Sequence, residues 1–292
     1  RGIYVYCYSR QTTDFTMQNN TVQNINLTNT GNVAFKGIWI SSEFYTNLTI
    51  TGNTIGHNSV PGSITLAGSG EARMLAGYCS GSSVNFSDNV VANVKLTNTL
   101  TAGWNTLVGT GGTHVTVKGN LIHGCAMAKT YFLEGLAVGV YGLGLVEGNS
   151  IYNLTANGPS DSQLEIVGMD LQGGSAGVNV TKNRIYNISN LNAGVSARIK
   201  GIAISTPNCA LANNIISLGE NSGNQVSITG IENHRYNNTN YFDHNSVLIS
   251  GASSTGTNNT FCFMNCGDNG QSPSSVIVRD NIFTNTRSGP GK

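Results

Sequence analysis

Apolar residues flank an asparagine in the same arrangement at nine places along the chain. The side chains three residues before and two residues after the asparagine are apolar every time, as Val117 and Ile122 are around Asn120. Because alternate residues of a strand face the same side, the pattern predicts two short strands around each asparagine, each with an apolar inner face. The asparagines lie 29 to 36 residues apart, at Asn20, Asn53, Asn89, Asn120, Asn149, Asn183, Asn214, Asn245 and Asn281.

A third apolar strand follows each asparagine by about 17 residues in several repeats, for example Gly168-Met-Asp-Leu171 and Gly201-Ile-Ala-Ile204. Each repeat therefore predicts one coil of three short strands and a longer loop. One coil cannot bury its inner face alone, so neighbouring coils must stack at the strand spacing of about 4.8 Å. The sequence predicts an all-β protein: a right-handed parallel β-helix of about nine three-stranded coils, forming a single domain over residues 1–292.

The repeated asparagine is interpreted as a turn residue. Asparagine tolerates the left-handed backbone region better than other non-glycine residues, and the residue before it is often Gly, Asp or Asn. On this interpretation, replacing Asn120 or Asn183 with Val strains a left-handed turn and costs about 1–2 kcal/mol.

Composition excludes two classes of partner. Charged residues make up 10% of the chain and the formal net charge is +1. The few Lys and Arg residues are scattered, so no basic stripe is present to neutralise the phosphates of a nucleic acid. No apolar run reaches the roughly 18 residues of a membrane span, so neither nucleic acid nor a membrane span is expected.

The two ends and the cysteines bear on where the protein works. Solenoids need capped ends, whereas Arg1-Gly-Ile-Tyr-Val-Tyr6 already reads as a strand and Arg287-Ser-Gly-Pro-Gly-Lys292 contains no closing element. We therefore expect a fragment of a longer polypeptide that is secreted or displayed on a cell surface. For the cysteines, buried thiols and a local Cys262–Cys266 disulfide, which would suit a secreted protein, both stay open. The six cysteines are Cys7, Cys79, Cys125, Cys209, Cys262 and Cys266.

The repeat, written G/D-N-x-I/V, resembles the parallel β-helix repeats of the pectin-lyase-like superfamily over essentially the whole chain. That resemblance implies a ladder of stacked asparagines at the narrow turn. The closing stretch, Asp280-Asn-Ile-Phe-Thr-Asn-Thr-Arg-Ser-Gly289, looks like repeats of very large secreted surface proteins of Bacteroidota. Arg198-Ile-Lys200 looks like a segment of polygalacturonases, but the partner motifs of that family are absent from the chain.

Candidate chemistry lies on the outward side of the third strand. The pattern predicts one outward column of Trp39, Tyr141, Asp170, Ala203 and Glu232, and a second of Ser41, Gln172, Ser205 and His234. Trp39 and Tyr141 are candidates for stacking on sugar rings. Asp170 and Glu232, two coils or roughly 9–10 Å apart, approach the separation of an inverting glycosidase pair. Arg198 and Lys200 could hold an acidic sugar, and His234 completes the candidates for catalysis.

Three functions stay open. The first is a structural or adhesive segment of a large surface protein, in which Asp170 and Glu232 are solvated and line no groove. The second is a polysaccharide lyase or glycoside hydrolase, for which both carboxylates share a cleft and have raised pKa values. The third is a non-catalytic carbohydrate-binding module. Expected partners are a polysaccharide or cell-surface glycan and other segments of the parent chain. No metal site or cofactor is expected. A structural calcium ion stays open, although the six or more oxygen ligands that it needs are not evident in the sequence.

Overall fold

The described part of the protein consists of strands joined by turns and loops. A computed structural model describes residues 2–6, 13–29, 31–32, 34–42, 45–68, 70–97, 102–128, 130–158, 164–174, 177–192, 196–222, 225–234, 239–253, 258–266 and 275–289. Within these ranges it has 28 strands, no helix and only parallel strand pairing. The predicted all-β parallel solenoid is therefore confirmed.

The first fourteen strands are β1 (Ile3–Tyr6), β2 (Thr13–Gln18), β3 (Thr21–Val22), β4 (Ile25–Leu27), β5 (Phe35–Ser42), β6 (Tyr45–Thr51), β7 (Thr54–Gly56), β8 (Ile64–Leu66), β9 (Ala72–Ser87), β10 (Val90–Ala92), β11 (Val94–Leu96), β12 (Ala102–Lys118), β13 (Leu121–His123) and β14 (Ala126–Met127). The others are β15 (Thr130–Glu147), β16 (Ser150–Ala156), β17 (Glu165–Gln172), β18 (Gly177–Thr181), β19 (Arg184–Asn190), β20 (Arg198–Ile204), β21 (Cys209–Ala212), β22 (Ile215–Leu218), β23 (Ser227–Asn233), β24 (Thr239–Asp243), β25 (Ser246–Ile249), β26 (Thr260–Asn265), β27 (Ser275–Arg279) and β28 (Ile282–Asn285).

Two sheets make up the wall of the solenoid. Sheet A has 15 strands, and its main path runs β1-β5-β9-β12-β15-β17-β20-β23-β26. Sheet B has 13 strands, and its main path runs β28-β25-β22-β19-β16-β13-β10-β7-β3. Each step along a path moves up one coil, so equivalent residues of successive coils stand in columns.

The core lies between the sheets and accounts for the number of turns. At the apolar position before the asparagine, the seven residues from Ile50 to Phe242 are at most 1% exposed. Met17 at one end is only partly buried, and Val278 at the other is 42% exposed. The structure accordingly closes about seven turns rather than the nine coils predicted. A coil at the end of a stack has one neighbour instead of two, so counting asparagines overestimates the closed turns.

The repeated asparagine forms a ladder and is not the turn residue. All nine turns have a positive φ at the residue just before it, for example 65° at Gly119 and 58° at Lys182. None of the nine ladder asparagines is among the residues with positive φ. The interpretation of Asn120 and Asn183 as left-handed turn residues is therefore wrong.

The ladder itself is a continuous chain of side-chain hydrogen bonds. Asn149 is typical: its main-chain N–H and its Nδ2 both donate to Oδ1 of Asn183, each at 2.9 Å. The same Nδ2 donates to the carbonyl of Val117 at 3.1 Å. Side-chain bonds of this kind join every consecutive pair of the nine asparagines. The asparagine thereby supplies partners to polar groups that the tight turn buries.

The remaining structural predictions have mixed outcomes. Cys79, Cys125 and Cys209 are buried thiols as predicted, and Cys262 and Cys266 are not joined to each other by a disulfide. Cys7 lies outside the described residues. Among the residues that the structure covers, no helix is long and apolar enough to cross a membrane.

Candidate functional site

The outer face of sheet A presents its side chains in columns that the strand register defines. One column contains Trp39, Ala76, Gly109, Ala137, Asp170, Ala203, Glu232 and Met264. A neighbouring column contains Lys36, Arg73, Thr106, Glu134, Val167, Lys200, Thr229 and Phe261. A third, at the start of the strands, contains Trp104, Phe132, Glu165, Arg198 and Ser227.

Asp170 and Glu232 share a column, as predicted, but Tyr141 does not belong to it. Ala137 pairs with Asp170 and takes the position assigned to Tyr141. Ala137 and Tyr141 are four residues apart on β15, so strand alternation gives both the same side and does not distinguish them. The register between β12 and β15 changes only beyond Val140, where Gly112–Val140 is followed by His114–Leu143. Tyr141 is 63% exposed and lines a separate cavity of about 220 Å³ with Tyr78 and Gln172.

Trp39 belongs to the column but lies far from the two carboxylates. Four strand steps separate it from Asp170, roughly 19 Å at the strand spacing. Its ring is also covered by cations, with Lys36 Nζ 3.8 Å and Arg73 Cζ 4.8 Å from the ring centroid. The ring face that a sugar would need is occupied by Lys36 and Arg73.

Two other aromatic residues, which the sequence did not single out, lie beside the carboxylates. The rings of Trp104 and Phe132 pack at a tilt of 33° with their centroids 4.3 Å apart, and Trp104 is 58% exposed. Both line a cavity of about 260 Å³ whose wall also includes Glu165, Asp170 and His234. They precede the apolar stretches of long strands, so the asparagine pattern gave no signal for them.

A second cavity, of about 340 Å³, adjoins the first at Lys200. Arg198, Glu232, Phe261 and Met264 line it. Arg198 is exposed at the start of β20, whereas Lys200 is only 7% exposed. We call the two adjoining cavities the sheet A groove. The candidates Asp170, Lys200, Arg198, Glu232 and His234 all line it.

A buried carboxyl pair lies at the groove, and one of its members, Asp170, is part of the groove wall. Glu134 is 3% exposed, and Asp170 on the next strand is 8% exposed. Burial is the largest cause that raises the pKa of Glu134, to about 7, and the neighbouring Asp170 raises it further. Thr106 Oγ1 donates to Glu134 Oε2 at 2.7 Å. Sequence reasoning missed Glu134 because the misplaced Tyr141 hid the register of its strand.

The pair holds a proton. Glu134 Oε1 is buried and has no ordinary donor among the described residues, and its electrostatic partner is the carboxyl of Asp170. Burial also raises the pKa of Asp170, although hydrogen bonds from Gln172 and Glu134 and the charge of Lys200 act against it. Two adjacent buried carboxylates cannot both ionise cheaply. The interaction between them raises the pKa of Glu134 and acts to lower that of Asp170, so Glu134 is the member that carries the proton.

Lys200 joins this pair to a second charged group. Its Nζ lies 3.0 Å from Glu165 Oε1 and 3.0 Å from Glu232 Oε1. Burial acts to lower the pKa of Lys200, but the two carboxylates outweigh it, and the pKa lies above its ordinary value. Burial likewise acts to raise the pKa of Glu232, but His234 and Lys200 hold it below its ordinary value. Glu232 is therefore ionised while the neighbouring pair is half protonated.

Glu232 also belongs to a cluster with His234 and Cys266. His234 Nε2 contacts Glu232 Oε1, and Cys266 Sγ lies 3.4 Å from His234 Nδ1. The potential metal-ligand atoms of these three residues all lie within 4.8 Å of one another. Sequence analysis expected no metal site and did not bring Cys266 together with Glu232 and His234.

Comparison with known proteins adds no family. The chain matches no protein-family model, and no curated protein or solved structure is significantly similar to it. The structure supports two features that the resemblance to pectin-lyase-like repeats implied, the parallel β-solenoid and its asparagine ladder.

Proposed function

We propose that the sheet A groove binds a glycan and cleaves a glycosidic bond, with Asp170 as the proton donor. The observation that carries the proposal is the buried pair of Glu134 and Asp170, of which Asp170 lines a cavity that also has aromatic residues. Glycosidic oxygens need a general acid that keeps its proton near neutral pH. With a pKa of about 7, Glu134 keeps a proton near neutral pH. Asp170 lines the cavity and passes this proton from Glu134 to the glycosidic oxygen.

The charges of the groove favour a neutral glycan. Among the described residues of the groove, Glu165, Glu232 and the Glu134–Asp170 pair contribute about three negative charges, against the two positive charges of Lys200 and Arg198. The carboxylate of an acidic sugar would meet net repulsion there. The ionised carboxylates would instead stabilise the positive charge that develops at the anomeric carbon during hydrolysis. Hydrolysis therefore fits the groove better than the elimination reaction of a lyase.

The alternative functions have less support. A structural or adhesive segment leads one to expect solvated carboxylates, whereas Asp170 and Glu232 are 8% and 3% exposed. A carbohydrate-binding module needs the aromatic cavity but no buried acid pair. Burying two acids costs free energy, and such pairs are typical of functional sites. A secreted location and a longer parent protein stay predictions, as does the resemblance to the pectin-lyase-like superfamily.

The test is release of reducing ends from a panel of neutral and acidic polysaccharides. We expect release from a neutral member, and Asp170→Asn to lower the rate by about a hundredfold or more. Glu134→Gln keeps a hydrogen bond to Asp170 but has no proton to share, so it should lower the rate and change its pH dependence.

Glu147→Gln is the matched control. Glu147 is a partly exposed carboxylate at the end of β15, paired with Lys118 and Lys182 and absent from the groove lining, and its replacement should leave the rate unchanged. Full activity in Asp170→Asn, or no reducing ends from any polysaccharide, would refute the proposal. Unsaturated products from acidic members alone would instead indicate a lyase.

A further inference from the structure

Cys266, His234 and Glu232 form a row of three contacting side chains at the ends of two neighbouring strands of sheet A, with His234 in the middle. Glu232 and His234 leave the end of β23 two residues apart, and Cys266 follows the end of β26 on the next coil. The main-chain N–H of Cys266 donates to the carbonyl of Asn233 at 2.9 Å. The stacking of coils therefore sets the thiol directly beside the imidazole.

The contacts use the two ring nitrogens of His234 for different purposes. Nε2 meets the buried carboxylate of Glu232, and Nδ1 lies 3.4 Å from the sulfur of Cys266. A single neutral tautomer satisfies both contacts, because Nε2–H donates to Glu232 and the lone pair of Nδ1 accepts from the thiol. In the resting form the thiol proton also has a second acceptor, the carbonyl of Asn233 at 3.5 Å.

From this geometry we infer that Cys266 is a nucleophile, with His234 as its base and Glu232 as the residue that orients His234, and that it acts on acyl esters. A nucleophile beside a base that a third group orients is the arrangement of covalent acyl transfer. Lys200 keeps Glu232 ionised, and Glu165 shares the charge of Lys200. Glu232 and His234 also line the sheet A groove, but the acyl-transfer step uses neither a glycan nor Asp170.

The reaction proceeds in two balanced steps. The thiol proton passes to His234, and the thiolate attacks the ester carbonyl to form a thioester. The ester C–O bond breaks, and the leaving alkoxide takes the proton from His234. Water then attacks the thioester and gives one proton to His234, which returns it to the departing sulfur, and the carboxylic acid is released.

A metal ion is a weaker assignment for the same three residues. Cys266 and Glu232 lie on opposite ring nitrogens of His234, whereas a metal would bind one nitrogen with both other ligands on that side. Lys200 Nζ is also 3.0 Å from the Glu232 oxygen that a cation would need. The positive charge of Lys200 opposes a second cation there.

The experiment measures alkylation of each cysteine by iodoacetamide at pH 7, with a chelator present and peptide mass spectrometry as the readout. Cys262 is the internal control: it lies on the same chain segment, packs against the core, and burial raises its pKa. We expect Cys266 to react at least about tenfold faster than Cys262. His234→Asn should remove most of that difference and leave the rate at Cys262 unchanged.

A second readout is 4-nitrophenyl acetate, which should acylate the chain and release a burst of one 4-nitrophenolate per chain. Cys266→Ser should abolish the burst, and Cys262→Ser should retain it. Equal alkylation of the two cysteines in the unaltered chain, which needs no variant to fold, would overturn the inference. Fast alkylation of Cys266 without a burst would overturn the acyl-transfer assignment, whatever the outcome with glycans.

Discussion

At the scale of the residue, the asparagine ladder that the resemblance implied is confirmed, whereas the asparagine itself is not the left-handed residue. Pattern analysis identified all nine positions, because an asparagine recurs between apolar residues of fixed spacing. Their role depends on which residues lie next to them in the adjoining coils, and the alternation of apolar and polar side chains does not contain that information. The left-handed conformation belongs to the preceding residue, such as Gly119 or Lys182.

Asn183→Ala should therefore destabilise the protein through lost hydrogen bonds and not through strain. The Oδ1 of Asn183 accepts from Asn149 twice, and its Nδ2 donates to Asn214 and Val146. Leaving several buried groups without partners costs about 3 kcal/mol or more. Chemical denaturation measures the change, with the exposed Asn221→Ala as control at below about 0.5 kcal/mol. Equal losses in the two variants would contradict the ladder's energetic role.

The carboxyl pair gives stability a pH dependence at the same scale. Folding raises the pKa of Glu134 from 4.5 to about 7, so the folded state binds its proton more tightly than the unfolded state. The stability that this bound proton contributes is fully present below about pH 4.5, and it is lost as the pH rises through about 7. Denaturation at a series of pH values should show the unaltered chain losing stability across this window relative to Glu134→Gln. Parallel curves for the two proteins would show that Glu134 keeps an ordinary pKa.

At the scale of the element, strands follow from local alternation but their register does not. The strands around each asparagine were predicted because their inner faces are apolar. The placement of Tyr141 failed because Ala137 and Tyr141 are four residues apart, so alternation puts both on the same side of β15 and does not show which of them pairs with Asp170. Half of the groove was predictable for this reason: Asp170, Lys200 and Glu232 lie on regular repeats, whereas Glu134 and Trp104 lie on strands whose alignment needs the structure.

The turns allow backbone strain to be measured apart from packing. Gly148 has φ 67°, and a Cβ added there would meet nothing within 4 Å. Gly148→Ala should cost about 1–2 kcal/mol, because the left-handed conformation alone opposes a side chain. Gly174 is matched, since an added Cβ is also unobstructed and its φ is not left-handed. Thermal unfolding should show Gly174→Ala unchanged or slightly more stable, and an equal loss at both sites would contradict the turn assignment.

At the scale of the whole molecule, the groove and the core have different origins. Every coil repeats the core positions, so the fold is encoded many times along the chain. The groove draws single residues from successive strands of sheet A, from Trp104 on β12 to Met264 on β26. Each of its members occurs once, so no repeat reveals it. The full set of residues that form the groove can therefore be identified only when the register of the coils is known.

Stacked coils also predict that damage stays local. Ile151 on β16 is fully buried and pairs with Ile122 and Ile185 in the adjoining coils. Ile151→Ala should cost about 2–5 kcal/mol, and because each coil contacts only its neighbours, the loss should be concentrated there. Hydrogen exchange followed by mass spectrometry should show faster exchange in β13, β16 and β19, with β25 close to the unaltered protein. Ile215→Ala, at a side chain that is 49% exposed, should change exchange little anywhere. A uniform increase that includes β25 would mean that the solenoid opens as one cooperative unit, and that its coils are coupled beyond their direct contacts.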